Sequence, residues 1–301
     1  MQNLTLRHLR YFEALAQEGH FGRAAEKCAI SQPALSVQIK DLEENLGFAL
    51  FERGPRQVRL TSLGEAFAAR AHGVLQAVTD IGDWADAARG GAIERLRLGV
   101  IPTIAPYLLP RLIGALAQAH PGMDIHVRET VTPRLIAELT EGRLDAAIVA
   151  LPTDEPGLTE ATLFTEDVVL VRPERHAGGP SVTRDDLSAM RLLLLEEGHC
   201  FRDQALSFCN INPTRPREGL DGSSLSTLVQ MVGAGIGVTL IPDMAIDVET
   251  RSAPVSITRF QAPCPTRTVG LVWRKTNPMG PALTEIAGII RETAQADRSK
   301  G

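Results

Sequence analysis

Between Thr61 and Ala88 the apolar residues Leu63, Phe67, Ala71, Val74, Val78, Ile81, Ala85 and Ala88 recur at spacings of three and four. This is the seam of a coiled coil, and it predicts one long helix with Thr61 as its N-cap and Glu65 in its first turns. Such a helix either lays its stripe on a neighbouring domain or pairs with a second copy of itself. Arg89-Gly90-Gly91 reads as its stop and as a hinge. The chain therefore divides into residues 1–61, a linker or dimerisation helix with its hinge at 62–91, and a remainder at 92–301. At 301 residues, two or three domains are expected.

Residues 1–60 hold eight Arg or Lys against seven Asp or Glu, whereas the whole chain carries a net charge of −5. Position matters more than this small excess. Leu6, Leu9, Phe12 and Leu15 form a helical stripe that Gly19 ends, and a second helix is expected from Phe21 to Cys28, with Cys28 on its apolar face. Ser31 is a natural N-cap and Pro33 fits the first turn of a third helix, whose buried face is Leu35, Ile39, Leu42 and Leu46. Gln32, Ser36, Gln38 and Lys40 are read as its polar face. Two short helices joined by a tight turn match a helix-turn-helix, in which such a face meets base edges and phosphates. Residues 50–60 read as a hairpin wing bearing Arg53, Arg56 and Arg59. The competing reading is a plain three-helix bundle with solvated charges.

From residue 95 onward strands and helices alternate, the pattern of an α/β fold. Strands are expected at 96–101, 125–127, 146–150, 168–171, 192–195, 238–241 and 269–273. Helices are expected at about 105–119 and 133–142, with a last one at about 281–296. Open α/β sheets bind ligands beyond the carboxyl ends of their strands, and Thr103 and Thr132 fall at that rim. Helix capping explains both threonines equally well. The uncharged run from Ser223 to Pro242 holds three glycines and reads as a helix, a turn and a buried strand, not as a membrane span. The first residues lack a basic stretch followed by an apolar core, so no signal peptide and a cytoplasmic location are expected.

Two of the four cysteines, Cys200 and Cys209, lie nine positions apart in Gly-His-Cys-Phe-Arg-Asp-Gln-Ala-Leu-Ser-Phe-Cys, residues 198–209. Cys200 follows Gly198 at an expected helix start and is flanked by His199 and Arg202. Thiolates, the reactive form, are favoured by cationic neighbours and by helix N-termini. The alternative is that both are small buried hydrophobes.

Residues 4–64 resemble the winged helix-turn-helix of LysR-type transcriptional regulators. The resemblance rests on Arg23-Ala24-Ala25-Glu26, Ser31-Gln32-Pro33-Ala34-Leu35-Ser36 and Leu50-Phe51-Glu52-Arg53. The tract 231–242 resembles that family's effector domain, so the match spans essentially the whole chain. The sequence departs from the family at Val37, where many members carry a basic residue. Residues 197–205 with Cys209, and Ile101-Pro102-Thr103 with residues 106–110, are similar to the hydrogen-peroxide-sensing members.

The resemblance implies a periplasmic-binding-protein-like effector domain, with one lobe at about 92–165 plus 268–301 and the other at about 166–267. It makes Cys200 the peroxidatic thiol and Cys209 the resolving thiol. It places Thr103, Thr132, His199 and Asp203 around the peroxide, with Arg267 nearby. DNA contacts fall to Gln32, Pro33, Ser36, Gln38, Lys40 and Arg53. It implies no enzymatic activity, cofactor, metal or membrane. The implied partners are double-stranded promoter DNA, hydrogen peroxide as signal, RNA polymerase, and further copies of the chain as a dimer of dimers. Two other readings remain: a regulator binding a small organic effector between the lobes, and a thiol peroxidase, which leaves the helix-turn-helix unexplained. Cys264, in Ala262-Pro263-Cys264-Pro265, matches no role.

Overall fold

The computed structural model describes residues 4–53, 58–88, 93–178, 182–187, 190–209 and 221–298. The chain separates into two compact units, Met1–Asp86 and Ala87–Gly301.

In the first unit, α1 (Leu6–Glu18), α2 (Phe21–Lys27) and α3 (Gln32–Leu46) enclose a core of Leu9, Phe12, Leu15, Ala24, Leu35, Ile39 and Leu42. Alanines at 24 and 25, both buried, let α2 approach its neighbours closely. Ser31 caps α3 by accepting from the Ala34 amide, as its position ahead of Pro33 predicts. The strands β1 (Phe51–Arg53) and β2 (Val58–Leu60) pair antiparallel, and the Glu43 carboxylate accepts from the Leu50 and Phe51 amides, tying this hairpin to α3. Thr61 then caps α4 (Ser62–Ala88) through the Gly64 amide.

The apolar stripe of α4 divides. Phe67 meets Phe12 edge-on at 4.9 Å and Ala71 is buried, so part of the stripe completes this core. Leu63, Val74 and Ile81 stay exposed, as an unpaired half-seam would. Cys28 caps α2, where partial burial pushes its thiol pKa up. Arg56 and the Arg89-Gly90-Gly91 hinge lie outside the described residues.

The second unit begins with β3 (Arg95–Val100), α5 (Ala105–Ala119), β4 (Asp124–Glu129), α6 (Thr132–Thr140), β5 (Ala146–Leu151) and β6 (Leu158–Pro173). It continues through α7 (Arg184–Leu187), β7 (Leu192–Leu195), α8 (Cys200–Phe208), β8 (Asp221–Gly222), α9 (Leu225–Gly233) and β9 (Val238–Pro242). It ends with α10 (Ile246–Glu249), β10 (Val255–Thr258), β11 (Thr266–Arg274) and α11 (Gly280–Arg298). The sheet order is β4-β3-β5-β11-β6-β9-β7-β8, with β10 paired to β6.

Two hydrophobic cores result. One gathers β3, β5, α5 and α11 around Leu98, Ile148, Leu112 and Ile286. The other gathers β6, β7, α8 and α9 around Leu170, Leu193, Phe201 and Val229. The antiparallel strands β6 and β11 run from one lobe into the other. β6 is far longer than the expected 168–171, because its first half alternates buried and exposed residues and carries Glu160 and Glu166. No helix among the described residues is long and apolar enough to cross a membrane.

Candidate functional site

β7 ends at Leu195, and the chain turns through Gly198 before α8 begins at Cys200. Gly198 has φ +93°, a region that L side chains rarely adopt. This turn sets the Cys200 thiol at the first position of α8, where unpaired amides and the helix dipole favour negative charge. The loop after β3 and the start of α6 meet it from the other lobe. Thr103, Thr132, His199 and Cys200 thereby line one recess, walled by Ile101 and Val131. The recess is narrow, with too little free space in this structure for a water-sized sphere.

The polar groups of the recess are arranged to donate. The Thr103 hydroxyl accepts from Arg267 Nη1 at 2.9 Å, which leaves its own proton free for another acceptor. Thr132 Oγ1 is buried and makes no hydrogen bond. Such an orphan is costly unless a ligand or a water meets it. Burial pushes the His199 pKa below its ordinary value, against the opposing pull of Glu196, so its imidazole is neutral near pH 7. Capping does not explain the threonines: the N-caps of α5 and α6 are Ile104 and Val131, and neither helix has a side-chain cap bond.

Arg267, on β11, is 2% exposed and lies behind the recess, not in it. Its Nε donates to Glu166 Oε1 at 2.8 Å and its Nη2 to the Thr103 carbonyl at 2.9 Å. The guanidinium also stacks over Phe201 of α8, 5.3 Å from the ring centroid. Glu166 in turn accepts from the Met244 amide at 3.0 Å. A second bond between the lobes runs from the Tyr107 hydroxyl on α5 to Glu249 on α10 at 2.6 Å. Sequence reasoning missed Glu166. Its one signal was a carboxylate at the threshold of the apolar run Val168–Val171.

None of the four cysteines is in a disulfide. Cys200 packs against the first lobe's core, whereas Cys209 is buried within the second lobe's core. Nine residues of helix separate them by roughly 13 Å along the axis. Cys264 is exposed, and its Sγ donates to the Phe260 carbonyl at 3.2 Å.

In the first unit, 100° per residue places Gln32, Ser36 and Lys40 on one arc of α3 with Pro33 and the exposed Val37. Gln38 does not join them. It falls on the far flank, beside Leu42, and is half-buried. Lys40 forms only a surface pair with Glu44 at 3.4 Å. The backbone of Arg53 lies in β1 opposite Val58.

Residues 6–65 match the bacterial regulatory helix-turn-helix protein, lysR family, and residues 89–295 match the LysR substrate binding domain. The chain belongs to the LysR family. Among its relatives in that family is a probable hydrogen peroxide-inducible genes activator of Streptomyces viridosporus, 43% identical over 292 residues, 96% of this chain and 94% of that one. Full-length OxyR from Pseudomonas aeruginosa, solved with a Cys-to-Asp substitution, is 41% identical with a TM-score of 0.78, covering 96% of this chain and 95% of that one. A Cys-to-Ser variant of Corynebacterium glutamicum OxyR, solved with hydrogen peroxide bound, is 35% identical with a TM-score of 0.67, covering 98% and 94%.

Within this LysR effector domain two residues stand apart from the group expected around Cys200. Asp203 is exposed and lines a separate open cavity with Gln204 and Phe208. Asp203 lies three residues past Cys200, nearly a full turn further along α8, which carries its side chain beyond the recess. Arg202, flanking Cys200 in sequence, turns away as well. Its Nη1 donates to the Leu195 carbonyl and pairs with Asp221 at 3.1 Å.

Proposed function

We propose that this LysR-family chain is a cytoplasmic transcriptional regulator, not an enzyme, that senses hydrogen peroxide through Cys200 and Cys209. The observation that carries the reading is the recess itself, where the unpartnered Thr132 hydroxyl, the Thr103 hydroxyl and His199 surround a thiol at a helix N-terminus. The names of the Pseudomonas and Corynebacterium relatives add support.

In this reading the Cys200 thiolate attacks one peroxide oxygen. An S–O bond forms, the O–O bond breaks, and the leaving hydroxide takes a proton, leaving a sulfenic acid. Donors aimed at the departing oxygen stabilise the charge that develops there, the role given to Thr103, Thr132 and His199. Arg267 is a positioning residue that holds Thr103, and Asp203 serves only if α8 moves. The Cys209 thiol then displaces water from the sulfenic acid and forms the disulfide.

A disulfide tolerates a Cα separation of at most about 7 Å, so closure requires α8 to unwind. With one thiol anchored in each core, that motion repacks both lobes. Residues 1–61 would bind promoter DNA through Gln32, Pro33, Ser36, Lys40 and Arg53, with Gln38 at the margin. Residues 62–91 would pair copies into a dimer, and residues 92–301 would carry the sensor and assemble a dimer of dimers that engages RNA polymerase.

The test is disulfide mapping by mass spectrometry beside DNA footprinting, before and after peroxide. The Cys200–Cys209 bridge should form together with an altered footprint. Cys200→Ser should show neither, and Cys209→Ser should accumulate sulfenic acid. A footprint shift that persists in Cys200→Ser would overturn the reading.

A further inference from the structure

Arg172 lies near the end of β6, between β9 and β10, and is 8% exposed. Its Nε is buried without a hydrogen bond, and its guanidinium makes no ion pair among the described residues. Directly opposite on β10 stands Ser256, whose Oγ is also buried and unpartnered. Cross-strand partners project from the same face of a sheet. A cationic donor and a hydroxyl, both unsatisfied, thus sit side by side. A buried charge without a partner is among the more expensive features a fold can carry, and it persists where something compensates it.

The surroundings carry the same sign. Arg175, on the turn after β6, lays its guanidinium against Gly235, with Nη1 2.8 Å from where a Cβ there would stand. Any side chain at 235 would displace it. Arg175 too makes no ion pair among the described residues. Glu174, beside Arg175 in the chain, is exposed and bonds to neither arginine. The face is that of the redox helix: alternation puts Val168, Leu170 and Arg172 on one side of β6, with Leu240 opposite Leu170. Val168 and Leu240 line the cavity that Gln204 and Phe208 of α8 roof, and Gln204 Oε1 is buried there without a partner.

We propose that Arg172 and Ser256, with Arg175 at the rim, form a binding site for a small oxyanion, a phosphate or carboxylate group, on the α8 face of the second lobe. Arg172 supplies paired N–H donors and charge, Ser256 a further donor, and Arg175 long-range attraction. The site is separate from the Cys200 recess and does not depend on the redox reading.

The experiment measures binding of inorganic phosphate and of acetate to the reduced full chain by calorimetry, with thermal shift at matched ionic strength in chloride. The wild type should bind at least one of the two anions and gain thermal stability from it. Arg172→Met should bind it roughly tenfold or more weakly, while keeping its melting temperature in chloride, since the substitution removes an unpartnered buried charge. Ser256→Ala, a smaller change, should also weaken binding and covers the case in which Arg172→Met does not fold. Absence of binding by the wild type, or equal affinity in wild type and Ser256→Ala together with Arg172→Met, would overturn the site. So would a melting temperature in chloride that falls sharply in Arg172→Met, because the arginine would then be serving the fold alone.

Discussion

Replacing Arg267 with Met removes the guanidinium that joins β11, the Thr103 loop and β6. Four hydrogen bonds go: one to Glu166 and two to Thr103, each 2.8 to 2.9 Å long, and a weaker one to the Met244 sulfur at 3.5 Å. Glu166, with its side chain 1% exposed, then keeps only the Met244 amide as a partner. Breaking one side of a buried ion pair costs about 3–5 kcal/mol, because the remaining charge stays desolvated. Domains are stable by about 5–15 kcal/mol in total, so the effector domain should be severely weakened. The assay is urea unfolding of Arg267→Met, Glu166→Met and the double variant. Met approximates the volume of both side chains, so the double variant should recover part of the loss, with a coupling of about 1–3 kcal/mol. Sulfenic acid formation at Cys200 should also slow, since Thr103 loses the bond that orients its proton. A single-variant cost below about 1 kcal/mol, or strictly additive losses in the double, would refute the account of this pair.

His199 titrates below its ordinary value, so below about pH 6.5 the unfolded state holds a proton that the folded state refuses. Stability should therefore fall as pH drops through that range, and His199→Gln should flatten the slope in melting-temperature profiles; an unchanged slope counts against burial as the cause. Tyr107→Phe strands Glu249 and should cost about 1–3 kcal/mol in urea unfolding; an equal loss in Tyr107→Phe on a Glu249→Met background, which lacks the acceptor, would exclude the bond as the source. Gly198→Ala forces an L residue into positive φ at about 1–2 kcal/mol and should disorder the approach to Cys200, read as slower alkylation kinetics at that thiol.

Much of this architecture is written in local pattern. Ser31 before Pro33, the Thr61 cap and the apolar run Ala146–Leu151 each need only neighbouring residues to define an element, and each element formed there. The site is legible only in part. Thr103, Thr132, His199 and Cys200 meet because three loops end at one rim, which the strand order announces. The Glu166–Arg267 pair is 101 residues apart, and nothing local marks either as buried. The first half of β6 lacks a strand's sequence signal because it is covered on one face only, so its charges imitate a loop. Asp203 and Arg202 mislead for the opposite reason. Arg202 is turned about 200° from Cys200 around α8, and Asp203, back near the same face, stands almost a turn further along the axis, so neither reaches the recess.

Housing the two thiols in different cores gives α8 the character of a timer. In the proposed reading oxidation at Cys200 comes first, and the bridge waits until nine residues of helix come apart and a buried Cys209 emerges. During that interval a cellular thiol can reduce the sulfenic acid and return the protein to its starting state. A brief pulse of oxidant is then erased, while a sustained one outlasts the opening of the helix and is recorded as a covalent bond. The stability of one short helix sets the threshold duration, so substitutions that strengthen or weaken α8 would tune how long stress must last without touching either sulfur.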